Sequence, residues 1–323
     1  MKQFKLIIVI AAVIIMATSC SLTSKKTTEM KNKIKQIAVF GDGLSDMGRW
    51  GKLTNYQYPP ASQGFFESRW TNGKVWIELV ADSLGLKIDF DNNYAMGGAT
   101  TGTYNINEAL RGALELDSEV KLQGMLAQVQ QYLNSNPAID SSTLFVLWAG
   151  GHDIGSYLDY GQPDLQQYPP AGNYKVAIEI LVKAGAKKFL IGTMPDMGFT
   201  PVYFGTDKQA MASALCSSLN IGLDELIKTY ENNDIQFYVL DGAAIFANVG
   251  SNPGQFGFKY TDAFLPINVI DFSNPLKLSD VAIPNREKGL NPDEFMNWWA
   301  VSASAKMHKI LADEALRTLN NKK

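Results

Sequence analysis

The residues of this chain that could do chemistry lie in glycine-rich turns, each directly after an apolar run. Residues 41–46 read Gly-Asp-Gly-Leu-Ser-Asp, and residues 150–153 read Gly-Gly-His-Asp. Ser45, His152 and Asp153 supply a hydroxyl, an imidazole and a carboxylate, which an acyl transfer can use as nucleophile, base and orienting group. Such a transfer also needs N–H donors for the oxyanion. Whether these groups meet depends on the elements that carry them.

The strands and helices that must position these groups alternate along the chain. Most of the predicted strands are continuous apolar runs, which is typical of a parallel sheet with helices on both faces. The glycine-rich turns each leave the carboxyl end of a strand, so they should share one edge of a sheet of about five strands. The strands are predicted at residues 37–40, 87–90, 142–148, 188–191 and 235–240, and the helices at residues 75–84, 122–133, 176–182, 208–230 and 302–319.

Composition favours a globular domain and excludes some partners. The chain has 323 residues, of which 46% are apolar and 19% charged. It shows no internal repeat, so residues 34–323 are predicted to form one domain. A net charge of −3 leaves no basic patch for nucleic acid. Asp42, Asp46 and Asp153 lack His or Cys neighbours at metal-ligand spacing, so neither a metal ion nor another cofactor is expected. The oligomeric state is left open.

The first 33 residues carry the features of an export signal and a tether. Two lysines precede an unbroken apolar run at residues 6–16, which is too short to span a bilayer and typical of a signal peptide. Ala-Thr-Ser-Cys at residues 17–20 resembles a bacterial lipobox, with residues 1–19 as the signal peptide and Cys20 as the lipidated first residue. Plain signal-peptidase cleavage nearby is the alternative. With residues 20–33 as a polar tether, we expect an exported envelope protein with a lipid anchor in the membrane, at the outer membrane.

Several segments, in order along the chain, resemble the SGNH/GDSL lipase and acylhydrolase family. The family reads Gly-Asp-Ser-Leu-Ser-Asp where residues 41–46 lie, and its second block, Asn-Tyr-Ala-x-Gly-Gly-Ala-Thr, resembles residues 93–100. Residues 69–76 are similar to the Arg-Phe-Thr-Asn-Gly-x-Val-Trp stretch of its lysophospholipase-like and fungal-like branch. Further similar segments lie at residues 194–196, 252–258 and 308–313. The resemblance implies a three-layer α/β/α fold of flavodoxin-like type and descent from an ester hydrolase.

The family's catalytic side chains are replaced in this chain. Gly43 stands at the position of the nucleophilic serine, and His152 at the position of the oxyanion-hole asparagine in the third block, Gly-x-Asn-Asp. Counting back from the shared segment in the last helix puts the family's aspartate and histidine at Trp299 and Ser302. Gly98 matches the glycine whose backbone N–H serves the oxyanion hole, and it is kept.

The resemblance therefore implies a pseudoenzyme that binds a lipid, acyl or glycan ligand in the cleft that corresponds to the family's substrate site, called the old cleft below. Losing the serine or the histidine of such a triad costs about 10⁶-fold in turnover. The alternative is an active ester hydrolase, lysophospholipase-like or acyltransferase-like, that uses Ser45, His152 and Asp153. Against this, Ser45 lies where a turn or helix start needs a hydrogen bond, and Asp153 would struggle to orient its own neighbour in sequence. Four separate changes favour natural divergence over one engineered inactivation.

Other notable residues have structural explanations. Asp42 is expected to accept backbone hydrogen bonds in its turn, His308 to pack in or lie on the last helix, and Cys216 to be a core residue. The aromatic side chains between residues 56 and 70 either line a ligand cleft or pack the loop that carries them, and both interpretations stay open.

Overall fold

The computed structural model describes residues 34–321, except residues 137, 163, 233 and 271–280. The signal peptide, Cys20 and the tether predicted for residues 1–33 therefore lie outside the described residues. Within the described ranges, no helix combines the length and the apolar character needed to cross a membrane.

The central sheet has four parallel strands in the order β1-β2-β3-β4. Val39, Val146 and Leu190 lie opposite one another across the first three strands, and Tyr238 continues the row in the fourth. β2 is buried along its whole length, as a central strand with both faces covered must be. The strands are β1 Gln36–Gly41, β2 Thr143–Trp148, β3 Lys188–Gly192 and β4 Gln236–Leu240.

Helices alternate with these strands. Those at residues 76–84, 125–135, 170–183, 209–230 and 305–321 were predicted from apolar periodicity, whereas those at residues 49–53, 151–160, 242–251 and 284–287 were not. The α-helices of the described residues are α1 Arg49–Leu53, α2 Trp76–Leu84, α3 Met125–Ser135, α4 Gly151–Tyr160, α5 Pro170–Lys183, α6 Gln209–Tyr230, α7 Gly242–Ser251, α8 Pro284–Glu287 and α9 Ala305–Asn321. Short 3₁₀ helices lie at Ala61–Gln63, Phe66–Ser68, Ile106–Leu110, Met197–Phe199, Pro253–Phe256, Ile267–Val269 and Pro292–Glu294.

Helices cover both faces of the sheet. On one face, α3, α5 and α6 pack over Phe145, with Tyr174 and Leu223 in the same buried cluster. On the other face, α2 and α9 pack against each other and bury Val80 and Leu311 with the strand residues. These two clusters give the three layers of an α/β/α fold, which confirms the predicted fold class.

The predicted strand at residues 87–90 does not form, so the sheet has four strands instead of about five. Side chains there make local hydrogen bonds that compete with strand pairing: Asp89 Oδ1 accepts from the Asp91 N–H at 2.9 Å, and Asn92 Oδ1 accepts from the Asp89 N–H at 2.8 Å. The chain turns there, and only Asn93 makes a bridge to Val39 in β1.

A second, three-stranded sheet was not predicted. It consists of β5 Tyr260–Ala263, β6 Phe295–Trp299 and β7 Ser302–Ala303. β6 is fully buried, parallel to β5 and antiparallel to β7. The turn between β6 and β7 places Ala300 at a φ of 40°, in the left-handed region that non-glycine residues seldom adopt. This sheet carries Trp299 and Ser302 to the carboxyl edge of the central sheet.

Candidate functional site

The turn after β1 is held from two sides. Asp42 Oδ1 accepts the Leu44 N–H at 3.0 Å, which confirms the expected role of this carboxylate in the turn. The end of β1 is fixed by Gln128 of α3, whose side-chain amide both accepts from the Gly41 N–H at 2.8 Å and donates to the Gly41 carbonyl at 3.0 Å. The backbone of Gly43, at the family's nucleophile position, therefore sits on a rigid support.

An indole ring covers Gly43. A Cβ atom on Gly43 would lie 3.1 Å from Cδ1 and 3.4 Å from Cγ of Trp70. The same ring lies against Gly97, where a Cβ would overlap the indole Nε1 at 2.1 Å. Trp70 thus fills the space between two glycine backbones, directly over the position where a nucleophile's side chain would begin.

Trp299, which the resemblance predicts at the family's aspartate position, lies behind Trp70. The two indole rings stack with centroids 5.9 Å apart and an angle of 19° between their planes. Phe65 packs edge-on against both rings, and Trp299 Nε1 donates to the Ile267 carbonyl at 3.0 Å. Ser302, predicted at the histidine position, is the cross-strand partner of Trp299 at the β6–β7 turn. Three aromatic rings therefore pack together beside the turn that contains Gly43.

The segment that carries Trp70 is fixed by polar contacts at both of its ends. Arg69 makes a two-point ion pair with the buried Glu78, each N–O distance being 2.7 Å. Thr71 donates to the Ala303 carbonyl at 2.8 Å, and Asn72 Oδ1 accepts the first N–H of α9 at 2.7 Å. Two-point pairs between Arg and a carboxylate set orientation as well as distance, so the indole ring is held over the turn.

His152 binds the backbone N–H of Gly98, the oxyanion donor that the resemblance implies. Its Nε2 accepts the Gly98 N–H at 3.2 Å, so this nitrogen carries no proton. Burial lowers the pKa of His152 to about 4, which keeps the ring neutral at physiological pH. Gly98 lies at a φ of 82°, the left-handed conformation that turns its N–H toward the site.

The alternative triad is not assembled by the hydrogen bonds of this site. Ser45 is fully buried and its Oγ accepts from Trp76 Nε1 at 3.1 Å. The Asp153 carboxylate accepts from both the N–H and the hydroxyl of Thr101 at 2.8 Å, and burial raises its pKa to about 6. Since His152 bonds to a backbone N–H instead, each of the three groups has a different partner.

The remaining candidate base and the thiol are buried in the core. His308 Nδ1 accepts the first N–H of α2, that of Trp76, at 3.2 Å, and burial lowers its pKa to about 3. Cys216 is buried as predicted, its Sγ lies 3.4 Å from the Met197 amide, and burial raises its pKa to about 11. Neither group is placed for proton transfer or nucleophilic attack near neutral pH.

Carboxyl groups beneath the turn do not form a metal centre. Burial, reinforced by the negative charges of Asp153 and Asp46, raises the pKa of Asp42 to about 7. Within the described part of the chain, no three His, Cys, Asp or Glu side chains come close enough to share a metal ion.

The aromatic loop, which sequence reasoning left undecided, mainly packs. Tyr58 and Phe65 are buried in one aromatic cluster against which the half-buried Trp70 packs, whereas Tyr56 and Phe66 are exposed. One feature of the sequence indicates that Gly43 is covered. The position that the resemblance assigns to the nucleophile has no side chain, and Trp70 carries an indole where the family's Arg-Phe-Thr-Asn stretch has the smaller ring of phenylalanine. Two such changes 27 positions apart could be connected only through the structure.

The fold defines a class: a three-layer parallel α/β domain with glycine-rich turns at the carboxyl edge of its sheet. The sequence profile described as GDSL-like Lipase/Acylhydrolase matches residues 37–315, and the chain belongs to this family.

Similar curated proteins carry names of lipolytic or related activities. The chain is 27% identical over 310 residues to a thermolabile hemolysin of Vibrio parahaemolyticus, covering 93% of this chain and 68% of that protein. It is 31% identical over 184 residues to a phosphatidylcholine-sterol acyltransferase of Aeromonas hydrophila, covering 54% of this chain and 49% of the relative. It thus spans about two thirds of the first relative and about half of the second.

Solved structures of the same kind are more distant. One is a member of the lipolytic protein G-D-S-L family from Veillonella parvula, with 12% identity, a TM-score of 0.47, and coverage of 89% of this chain and 100% of that one. Another is a putative GDSL-like lipase from Parabacteroides merdae, with 12% identity, a TM-score of 0.45, and coverage of 90% and 98%.

Proposed function

We propose that this protein is a catalytically inactive or strongly impaired member of its family that acts by binding at the bacterial envelope. The observation that carries the proposal is the indole of Trp70, which covers Gly43 and stacks on Trp299. A substrate carbonyl would have to occupy the space that this ring fills.

Loss of the nucleophile and of the base has no compensation among the neighbouring side chains. Ser45 and His308 are buried, and each is hydrogen-bonded to Trp76 of α2. A serine hydrolase loses about 10⁶-fold in turnover when either its serine or its histidine is removed, since the triad acts as a unit. Hydrolysis at the background level is the expected behaviour.

A side chain of the protein itself also takes up an N–H of the oxyanion hole. In a hydrolase, the backbone N–H of the second block stabilises the charge that develops on the substrate oxygen. Here that N–H, at Gly98, already donates to His152 Nε2 at 3.2 Å. A neutral imidazole acceptor at this point opposes an oxyanion, because two hydrogen-bond acceptors would compete for one donor.

A lipid or acyl group is the ligand class that the surroundings of the old cleft favour, ahead of a glycan. The loop after β3 borders the His152 turn, since Met194 Cε lies 3.4 Å from the Cβ position of Gly151. That loop exposes Phe199 and Phe204, with 66% and 61% of their surfaces accessible and their rings 6.0 Å apart. Two adjacent exposed rings form an apolar patch that an acyl chain or lipid would cover.

The residues at the amino terminus support an envelope lipoprotein, anchored in the membrane through Cys20. An apolar run of eleven residues followed by a lipobox-like Ala-Thr-Ser-Cys is the sequence basis for this location. If Cys20 is acylated, the protein should partition with membranes and carry a mass excess, and Cys20→Ser should abolish both. Recovery of the unaltered protein in the soluble fraction, without added mass, would contradict the anchor.

One assay separates this proposal from the rival hydrolase that would use Ser45. Purified protein is tested with short-chain p-nitrophenyl esters and with lysophospholipid, beside Ser45→Ala as the matched variant. We expect both proteins to stay at the background rate. Turnover that disappears in Ser45→Ala would establish the rival, an active ester hydrolase, and overturn the pseudoenzyme. Mass spectrometry of molecules that co-purify with the protein would then test whether a lipid occupies the cleft.

A further inference from the structure

A groove of about 540 Å³ lies outside the old catalytic site. It runs between α1, the turn before Gly97 and the exposed side of α3, and its volume is within the range of about 300–1,000 Å³ common for small-molecule sites. None of the family-equivalent catalytic positions lines it. Its walls are Arg49, Leu53, Met96, Lys121, Gln123, Ala127, Gln130, Gln131 and Asn134.

Arg49 brings to this groove a positive charge without a partner ion. Its Nη2 donates to the Phe90 carbonyl at 2.8 Å and to the Asn93 carbonyl, and its Nε is buried without a hydrogen-bond acceptor. The nearby Asp46 does not pair with the guanidinium, because its two oxygens accept the backbone N–H groups of residues 48, 49 and 97. Placing a charge in a desolvated position without a counter-ion is costly. An anion in the groove would offset that cost.

The other groups of the groove suit a hydroxyl-rich molecule. Four carboxamides line the groove, and Gln130, Gln131 and Asn134 are exposed on α3, with no side-chain bond to the described residues. A carboxamide both donates and accepts, which matches a sugar hydroxyl, whereas Lys121 adds a second cation at the rim. Leu53 supplies an apolar surface for the C–H face of a sugar ring.

We propose that this groove binds an anionic sugar, a ring of hydroxyl groups that carries a carboxylate or a phosphate. The anionic group pairs with Arg49 and Lys121, and the hydroxyl groups bond to the carboxamides of α3. Among the described residues, no carboxylate side chain lines the groove, and its two charged lining residues, Arg49 and Lys121, are both cationic. The site is separate from the covered turn, and the proposal holds whether or not the protein hydrolyses esters.

Titration calorimetry of the full-length protein at low salt tests this with four probes: glucuronate, glucose 6-phosphate, glucose and inorganic phosphate. We expect glucuronate or glucose 6-phosphate, or both, to bind, with glucose and inorganic phosphate each about tenfold weaker or more. The first two probes distinguish a carboxylate from a phosphate as the anionic group. Absence of binding by both charged sugars, or equal binding of inorganic phosphate and the sugar phosphate, overturns the proposal.

Variants assign the binding to the groove. Lys121→Gln and Gln131→Ala change exposed side chains and should fold normally, and we expect each to weaken binding by about threefold to fivefold. Lys52→Gln removes the same charge from α1 outside the groove and should leave binding unchanged. If Lys52→Gln weakens binding as much as Lys121→Gln does, general charge attraction explains the result and the site is refuted. Arg49→Gln should abolish binding, provided that its melting profile shows a folded protein.

Discussion

Replacing Trp299 with aspartate, the residue that the family resemblance implies for this position, should destabilise this protein. The indole is buried, stacks on Trp70, touches Phe65 and donates to the Ile267 carbonyl. Truncating a buried tryptophan costs about 3–5 kcal/mol. A carboxyl left among aromatic rings adds about 1–3 kcal/mol for an unsatisfied polar group. The free energy of unfolding should therefore fall by at least about 4 kcal/mol.

Urea unfolding followed by tryptophan fluorescence and by circular dichroism measures this loss, and calorimetry should show a melting temperature lower by about 10 °C. Val301→Asp is the matched control: it introduces the same carboxylate two positions further along, on an exposed side chain, and should change stability by less than about 0.5 kcal/mol. Trp299→Phe should lie between the two, since it keeps a ring and loses the N–H bond. A Trp299→Asp variant as stable as the wild type would refute the reasoning that the old site is packed with rings.

Three further predictions concern catalysis, pH and the support of the site. Gly43→Ser alone should stay at background esterase activity, because its Cβ meets an indole at 3.1 Å and the nearby His152 Nε2 already accepts the Gly98 N–H; only the triple variant with Trp299→Asp and Ser302→His should gain rate, far more than additively. Since burial lowers the pKa of His308 to about 3, protonation of this ring below pH 6.5 favours the unfolded chain; between pH 7 and 5 the wild type should lose about 2 kcal/mol more than His308→Gln does in urea unfolding, because the other titrating groups are common to both proteins. Glu78→Gln should cost about 3–5 kcal/mol in the same unfolding assay, because it breaks a buried ion pair.

Long, uniform patterns in the sequence predicted the central sheet and its longest helix closely. The continuous apolar run of β2 and the long periodic stretch of α6 predict the ends of these two elements to within about one residue. The strand expected at residues 87–90 failed because Asp89 and Asn92 use their side chains for local turns, which an apolar pattern does not reveal. β6 was missed for a different reason: the polar Asn297 interrupts a run of only five residues, so neither a continuous apolar run nor a regular alternation marks this strand.

Some parts of the candidate site could be predicted from the sequence and others could not. The family resemblance located Gly43 and His152, because motif positions are local in sequence. The contact of Trp70 with Trp299 joins residues 229 positions apart, and the bond from Gly98 to His152 spans 54 positions. Which side chain fills a vacated space is decided by packing between distant segments, so the sequence alone could not supply it.

The packing of α9 on α2 has a consequence for the order in which this chain becomes structured. The apolar face of α2 is covered by Met307 and Leu311, and the first N–H of α9 is bound by Asn72. During synthesis that face leaves the ribosome more than two hundred residues before its cover does. One side of the sheet therefore stays exposed to water, and to other unfinished chains, until the last helix has emerged. Completion of this layer waits until residues 305–321 have been translated.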